Sequence, residues 1–386
     1  MTQTMLVFSV GPVQGFIASA RKTEDLWAGS YILSYLTSVA IAALQEEGGK
    51  QGVAVEIVFP AEVQKRRKRK KDRAVASFPN RFMAMMKASA GPAAEIAERA
   101  RVTVYNELAV MAERAVDMVF GRLEPEKVTR LKVMAREQVR SLFEVFWALE
   151  PYDESDYSGA RLRLERRLAA SKNERPLYYI EQTGLVCSVC AEKEALNDGF
   201  TGKENYGQMK MALSRLWEQR SSSFGPVLST KGEVENEGRI KDNEYLCGVC
   251  LLKRTARDYF RELFGAKGGF GAYPSTRDIA GGEGRYYAVL MMDGDDMGKW
   301  LSGERKPAWA AGLDDISYHQ ELSRRMNVFA EDTVAQLVSQ YKGHLVYSGG
   351  DDVLAFFPVA EALPFAQALR DSFSDEAKGL GREFTA

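Results

Sequence analysis

Apolar residues along the chain fall into two alternating textures. Short runs rich in β-branched and aromatic residues, at 5–10, 53–59, 81–86 and 142–149, read as strands. Between them lie helical patterns at 14–44, with a break near Gly29 and Ser30, and at 93–118. Strand, helix, strand, strand, helix, strand is the order of the split ferredoxin-like unit. From residue 285 the pattern returns, with strands at 286–292, 343–347 and 353–358 and helices within 314–340 and 361–380. A closing strand is expected after the last helix, and the chain stops at Ala386, so this second unit reads as C-terminally incomplete. The intervening stretch has a different texture, with a basic amphipathic helix at 160–170 and a glycine- and charge-rich segment at 221–243. The expected fold is therefore α+β: two ferredoxin-like βαββαβ domains, at 1–152 and 283–386, with a helix-rich domain at 153–282 between them.

Charge changes this picture only locally. The 52 Lys and Arg nearly balance 53 Asp and Glu, which argues against a wholly basic nucleic-acid coat. Residues 65–73 nevertheless hold eight basic residues in nine, inside a predicted loop at 61–75. Such a run must be solvated, and it either forms a bare surface loop or meets RNA or DNA phosphates. The N-terminus lacks a basic signal region, and the most apolar helical stretch is interrupted by Ser34, Thr37 and Ser38, so neither a secretory signal nor a membrane span is expected. The expected compartment is the cytoplasm.

Two scarce residue types are more telling. The only histidines, His319 and His344, are not followed by Asp, which excludes a His-rich hydrolase centre or an HD-type phosphohydrolase. All four cysteines fall into two C-x-x-C pairs, Cys187 with Cys190 and Cys247 with Cys250. Two such knuckles in a reducing compartment point to a closed tetrahedral structural Zn²⁺ site, with redox pairs or independent thiols as the alternatives.

The strongest catalytic pattern is Ser348, Gly349, Gly350, Asp351 and Asp352 between two predicted strands. Glycines there permit a tight turn and close approach of backbone to phosphate, and adjacent carboxylates repel unless a cation lies between them. Asp293, Gly294, Asp295 and Asp296 end another strand, which in a ferredoxin-like unit lies beside that hairpin. Asp293, Asp351 and Asp352 would then meet and bind Mg²⁺ or Mn²⁺ through oxygen. A plain turn, or Asp295 or Asp296 capping the helix after them, is the simpler alternative for each motif alone. A calcium loop on Asp293, Asp295, Gly298 and Glu304 is disfavoured by Met297 at its fifth position. Lys299, one turn into the following helix, either reaches a triphosphate or stays solvated, and Ser348 either touches a base or finishes its strand.

Taken together, Val10-Gly-Pro-Val-Gln-Gly-Phe-Ile17, Ala20-Arg-Lys-Thr-Glu-Asp-Leu-Trp-Ala-Gly-Ser30, the two cysteine pairs, Met292-Asp-Gly-Asp-Asp-Met-Gly298 and Ser348-Gly-Gly-Asp-Asp352 resemble the large subunit of type III CRISPR effector complexes, in its III-B (Cmr) branch. That family belongs to the palm-domain polymerase and cyclase superfamily. The resemblance implies two palm domains flanking a zinc domain, ATP bound between the palms, and conversion of ATP to cyclic oligoadenylate when guide RNA meets target RNA. It implies catalytic and metal-binding roles for Asp293, Asp351 and Asp352. It also implies nucleotide contacts by Ser348, Gly349, Gly350, Gly294 and Lys299, with Gly11, Pro12, Val13 and Gln14 holding the acceptor nucleotide. Implied partners are the other Cmr subunits, notably the neighbouring subunit that binds the 5′ end of the guide RNA, together with guide and target RNA and no membrane. Relatives often begin with an HD nuclease domain and end with a helical domain, and neither is expected in this sequence. Two rival readings remain open: a cyclase or conjugase of the same superfamily with another product, and a non-catalytic RNA-binding scaffold.

Overall fold

A computed structural model describes residues 3–61, 75–174, 181–225, 227–228, 234–236, 238–265, 269–281, 286–377 and 379–386. The basic run at 65–73 lies outside the described residues. The first unit opens with β1 (Gln3–Gly11), whose apolar residues are buried on both faces. Residues 14–44 were expected to break at Gly29 and Ser30, but the break falls earlier. It separates α1 (Gln14–Ala18) from α2 (Thr23–Lys50), which runs straight through Gly29. A Cβ on Gly29 would lie 3.2 Å from the Ile17 Cα, so this glycine admits a close chain contact and does not end a helix.

Strands β2 (Val55–Phe59) and β3 (Arg81–Met86) follow, then α3 (Ala90–Phe120), α4 (Pro125–Leu142) and β4 (Glu144–Tyr152). The sequence reading began the last strand at residue 142 and assigned no element to α4, although Pro125 opens it and Leu131, Ala135, Gln138 and Val139 line its buried side at helical spacing. The four strands are antiparallel in the order β2-β3-β1-β4, the ferredoxin-like winding.

The middle stretch contributes α5 (Tyr157–Asn173), α6 (Tyr206–Glu218), the short strands β5 (Val227–Leu228) and β6 (Val234–Asn236), α7 (Gly248–Phe264) and α8 (Thr276–Ile279). Helix α5 covers the outer face of the first sheet, where Leu164 and Leu168 pack with Met5, Val7 and Met85. Trp217, Leu251 and Phe260 share one core with Leu36, Leu108 and Leu131 of the first unit. Gln138 ties the two regions, donating to the Glu194 carbonyl at 2.8 Å and accepting the Gly248 N–H at 2.7 Å.

The second unit contains β7 (Tyr287–Met292), α9 (Met297–Ser302), α10 (Asp315–Val328), α11 (Val334–Gln340), β8 (His344–Gly349), β9 (Asp352–Pro358) and α12 (Val359–Phe373). A π-helical turn, Phe329–Thr333, joins α10 to α11. The sheet order is β7-β9-β8, the same winding with three strands among the described residues. The last helix was expected to reach residue 380 but stops at Phe373, because the chain reverses to bury Leu380 and Phe384 in the core of this unit.

The two units embrace reciprocally: α2 packs on β8, and α10 packs on β2. The Ser348 N–H donates to the Ala76 carbonyl at 3.0 Å, and the Ala61 N–H donates to Ser323 Oγ at 2.7 Å. Helix α2 is long and apolar enough to cross a membrane, but 72% of its most apolar window is buried inside the protein.

Candidate active site and metal centres

Register places the acidic group. Met292 at the end of β7 pairs with Val353 of β9, and Gly349 pairs with Asp352 across the hairpin. Asp293 therefore emerges beside Asp351 and Asp352, and one carboxylate oxygen from each lies within 4.8 Å of the others. Two glycines permit this crowding. Gly350 turns the hairpin at φ +69°, and a Cβ on Gly294 would stand 2.9 Å from the Asp351 Cβ. Burial pushes the Asp351 carboxyl up to about 6, with the Asp293 charge adding to it. Asp352 reaches solvent at one side, but desolvation by the hairpin and the charges of Asp351 and Asp293 raise it to about 7. Three carboxylates that resist joint ionisation form a donor set that a divalent cation relieves, so these residues fit Mg²⁺ or Mn²⁺.

The remaining residues singled out in the sequence take varied places. Ser348 is fully buried, and its hydroxyl donates to the Ala330 carbonyl in the π turn at 2.9 Å, so it faces the interior and not a ligand. Lys299 pairs with Asp296 at 2.9 Å on the exposed side of α9, where Arg305 joins the same carboxylate at 3.0 Å. Asp296 thus cups two cations and makes no side-chain cap to α9. Asp295 accepts from Thr385 Oγ at 2.8 Å, which anchors the returning chain end beside the acidic group. Gly11, Pro12 and Val13 line a separate cavity of about 240 Å³ together with Asn80, Glu144 and Lys172. Gln14 is exposed at the start of α1.

A larger cavity, about 610 Å³, lies between the units. Its walls include Ser34, Tyr35 and Ser38 of α2, Phe78, Phe264 of α7, and Glu331 and Asp332 of the π turn. Through Ala330 the same turn buttresses Ser348, so cavity and hairpin share one structural support. The sequence reading did not find these residues. Their only signal was an acidic pair within an otherwise amphipathic helix.

The four cysteine sulfurs also lie within 4.8 Å of one another. Cys190 and Cys247 are 3.8 Å apart, which matches the edge of a tetrahedron with Zn–S bonds of about 2.3 Å. Backbone N–H groups of Val189 and Cys250 point at Cys187 and Cys247 sulfurs, both at 3.4 Å, as suits thiolates. The cluster fits one Zn²⁺.

Comparison with known proteins agrees with this anatomy. Residues 5–113 match the family described as CRISPR-associated protein Cmr2, N-terminal, and residues 286–385 match Cas10/Cmr2, second palm domain. The CRISPR system Cmr subunit Cmr2 of Pyrococcus furiosus is 24% identical over 489 aligned positions, which take in 96% of this chain and 55% of the relative. The chain thus spans little more than half the length of that relative. A subunit of a type III-B Cmr-beta complex, solved in its apo state, has a similar fold, with a TM-score of 0.62 at 15% identity over 98% of this chain and 62% of that one. A chain of the Csm1-Csm4 cassette in complex with cA4 gives a TM-score of 0.51 at 14% identity, over 100% of this chain and 48% of that one. The two family matches together cover more than half of the 386 residues and fall on the two sheets wound alike, so the chain belongs to the Cas10/Cmr2 family.

Proposed function

We propose that this chain is a metal-dependent nucleotidyltransferase that converts ATP to cyclic oligoadenylate within a target-RNA-activated type III-B complex. The observation that carries the reading is the convergence of Asp293, Asp351 and Asp352 at a glycine-permitted hairpin edge. These three carboxylates would hold Mg²⁺ or Mn²⁺, which when bound supplies a Lewis acid for the attacking ribose hydroxyl and the leaving pyrophosphate. Gly349 and Gly350 let backbone approach a phosphate, Gly294 keeps room beside Asp351, and Ser348 acts from below as a support. Lys299, released from Asp296, is a candidate cation for a triphosphate.

The inter-unit cavity has room for a nucleoside, with aromatic faces on Tyr35, Phe78 and Phe264 and hydroxyls on Ser34 and Ser38, while Glu46, Glu331 and Asp332 disfavour phosphates there. The small cavity at Gly11, Pro12 and Val13, which includes Lys172, is the other candidate for the second nucleotide. The architecture behind this reading is two palms, 1–152 and 283–386, around a zinc domain at 153–282. The complex of Csm1-Csm4 with cA4 supports the product class, and the likeness to Cmr-beta bound to cognate target RNA supports assembly with other Cmr subunits and target RNA; guide RNA and a cytoplasmic location complete the proposal. The test is ATP conversion by the assembled, target-bound complex carrying Asp351→Ala and Asp352→Ala, read by mass spectrometry. A drop on the order of 1,000-fold is expected, as when a transition-state charge loses fixed partners. Unchanged conversion refutes the assignment, and a product of another mass redirects it to another cyclase or conjugase.

A further inference from the structure

The cysteine cluster has neighbours that its role as a clamp does not explain. Cys247 is the N-cap of α7, and Cys250 lies in its first turn. One turn further come two consecutive buried cations, Lys253 and Arg254, 1% and 0% exposed. Lys253 Nζ donates to the Phe16 carbonyl at 2.8 Å and to the Ser19 carbonyl, and it lies 5.2 Å from the centroid of the Phe16 ring. Arg254 Nε donates to Asp25 Oδ1 at 2.6 Å, while its Nη1 and Nη2 donate to Glu244 at 3.0 and 3.2 Å. Asp25 in turn accepts the N–H groups of Arg21 and Lys22 through Oδ2, each at 3.1 Å.

Residues 16–25 connect the end of β1 to α2 with only the five-residue α1 and a bend of their own. Their fixed position therefore comes from outside: Phe16 packs on Phe143 and Ile17 lies against Gly29, while α7 supplies the buried polar anchors. We propose that a metal ion at the four-cysteine cluster sets the position and rigidity of residues 16–25, acting through Lys253 and Arg254 as positioning residues. The ion pins the first turn of α7 by holding Cys247 and Cys250 together. Four thiolates around a divalent ion leave a net negative charge that complements the buried ammonium of Lys253. When the ion leaves, the pin on the first turn of α7 is lost. The cluster is thus coupled to the connection that follows Gly11–Gln14, whatever nucleotide the protein uses.

Amide hydrogen exchange on the full chain, read by mass spectrometry with zinc content measured in parallel, tests this. Removing zinc with a chelator is expected to speed exchange at Arg21 and Lys22 by about ten-fold or more while the β1–β3 and β1–β4 ladders keep their protection. Lys253→Met is expected to do the same with one zinc per chain retained, and Lys253→Arg to restore slow exchange. Asp25→Asn, of nearly equal shape, tests the link from the other end and should free the same two amides with zinc still bound. The proposal is overturned if the two amides stay protected after zinc is stripped. It is equally overturned if both Lys253→Met and Asp25→Asn retain zinc and leave those amides slow, or if zinc loss loosens the ladders as much as residues 16–25.

Discussion

The two sheets are wound in the same order yet put their surfaces to different use. In the first, helix α5 covers the outer face, and Met5 and Val7 of β1 are 0% and 1% exposed. In the second, the equivalent row on β7 stands open, with Val289 and Met291 54% and 79% exposed. At the opposite extreme of polarity, the second sheet gathers three carboxylates at its hairpin, and among the described residues the first sheet has no such group. One copy of the winding is consolidated on both faces, and the other leaves the β7 margin of one face open, although Phe356 of β9 on that same face is covered by Leu26, Tyr273 and Ile279, and places its candidate chemistry on a crowded, self-repelling edge. The winding alone therefore decides neither stability nor function, which depend on what covers the sheet and what its turns carry.

Substitutions can separate those contributions. Val7→Asp places a carboxylate in a closed core and is expected to cost about 4 kcal/mol or more, measured by urea denaturation. The seam between the units offers a second test. His319 of α10 lies buried against Phe59 and accepts or donates a 2.7 Å hydrogen bond with Tyr157. Burial, helped by the Arg161 and Arg81 charges, lowers it to about 4. Its unfolded value near 6.5 is higher, so the unfolded chain binds the proton first, and stability falls as pH drops from about 6.5 to 4, by about 3 kcal/mol in full. His319→Gln should flatten that part of the pH profile relative to the parent protein.

Smaller effects bear on the edge and the open β7 margin. Gly294→Ala drives a Cβ toward Asp351 and Met297 and is expected to weaken Mn²⁺ binding about 10-fold by calorimetry, with little change in unfolding. Met291→Asp, on the row that mirrors Val7, should change stability by no more than about 0.5 kcal/mol. A large loss there would mean that the open β7 margin is covered in solution, and the contrast between the sheets would then be one of partner and not of design.

Much of this was legible from residue order. Strand β3 fell on its expected residues, 81–86, because its apolar run is bounded by polar turns, and the acidic hairpin could be anticipated from two glycines between two strands. What escaped were features decided by distant contacts. Gly29 looked like a helix break because its partner, Ile17, is brought to it only by the fold. Residues 374–386 looked helical in part because nothing local indicates that Leu380 and Phe384 turn back into a core. The burial of Lys253 and Arg254 has no local sequence signal, since burial of a cation depends on carbonyls and carboxylates far away in sequence. Helix α4 is a different case, because Pro125 and the spacing of Leu131, Ala135 and Val139 are visible in the sequence itself.

The reciprocal embrace of α2 on β8 and α10 on β2 has a bearing on aggregation. Strands β2 and β8 each form one edge of their sheet, and an unpaired edge strand presents a row of free N–H and C=O groups to any passing chain. Here each unit's long helix shields the other's outermost strand, and Ala61, Ala76 and Ser348 spend backbone groups across the junction. Separating the units would uncover both rows at once, so the junction guards these two edges against self-templated sheet growth as well as shaping the space between its halves.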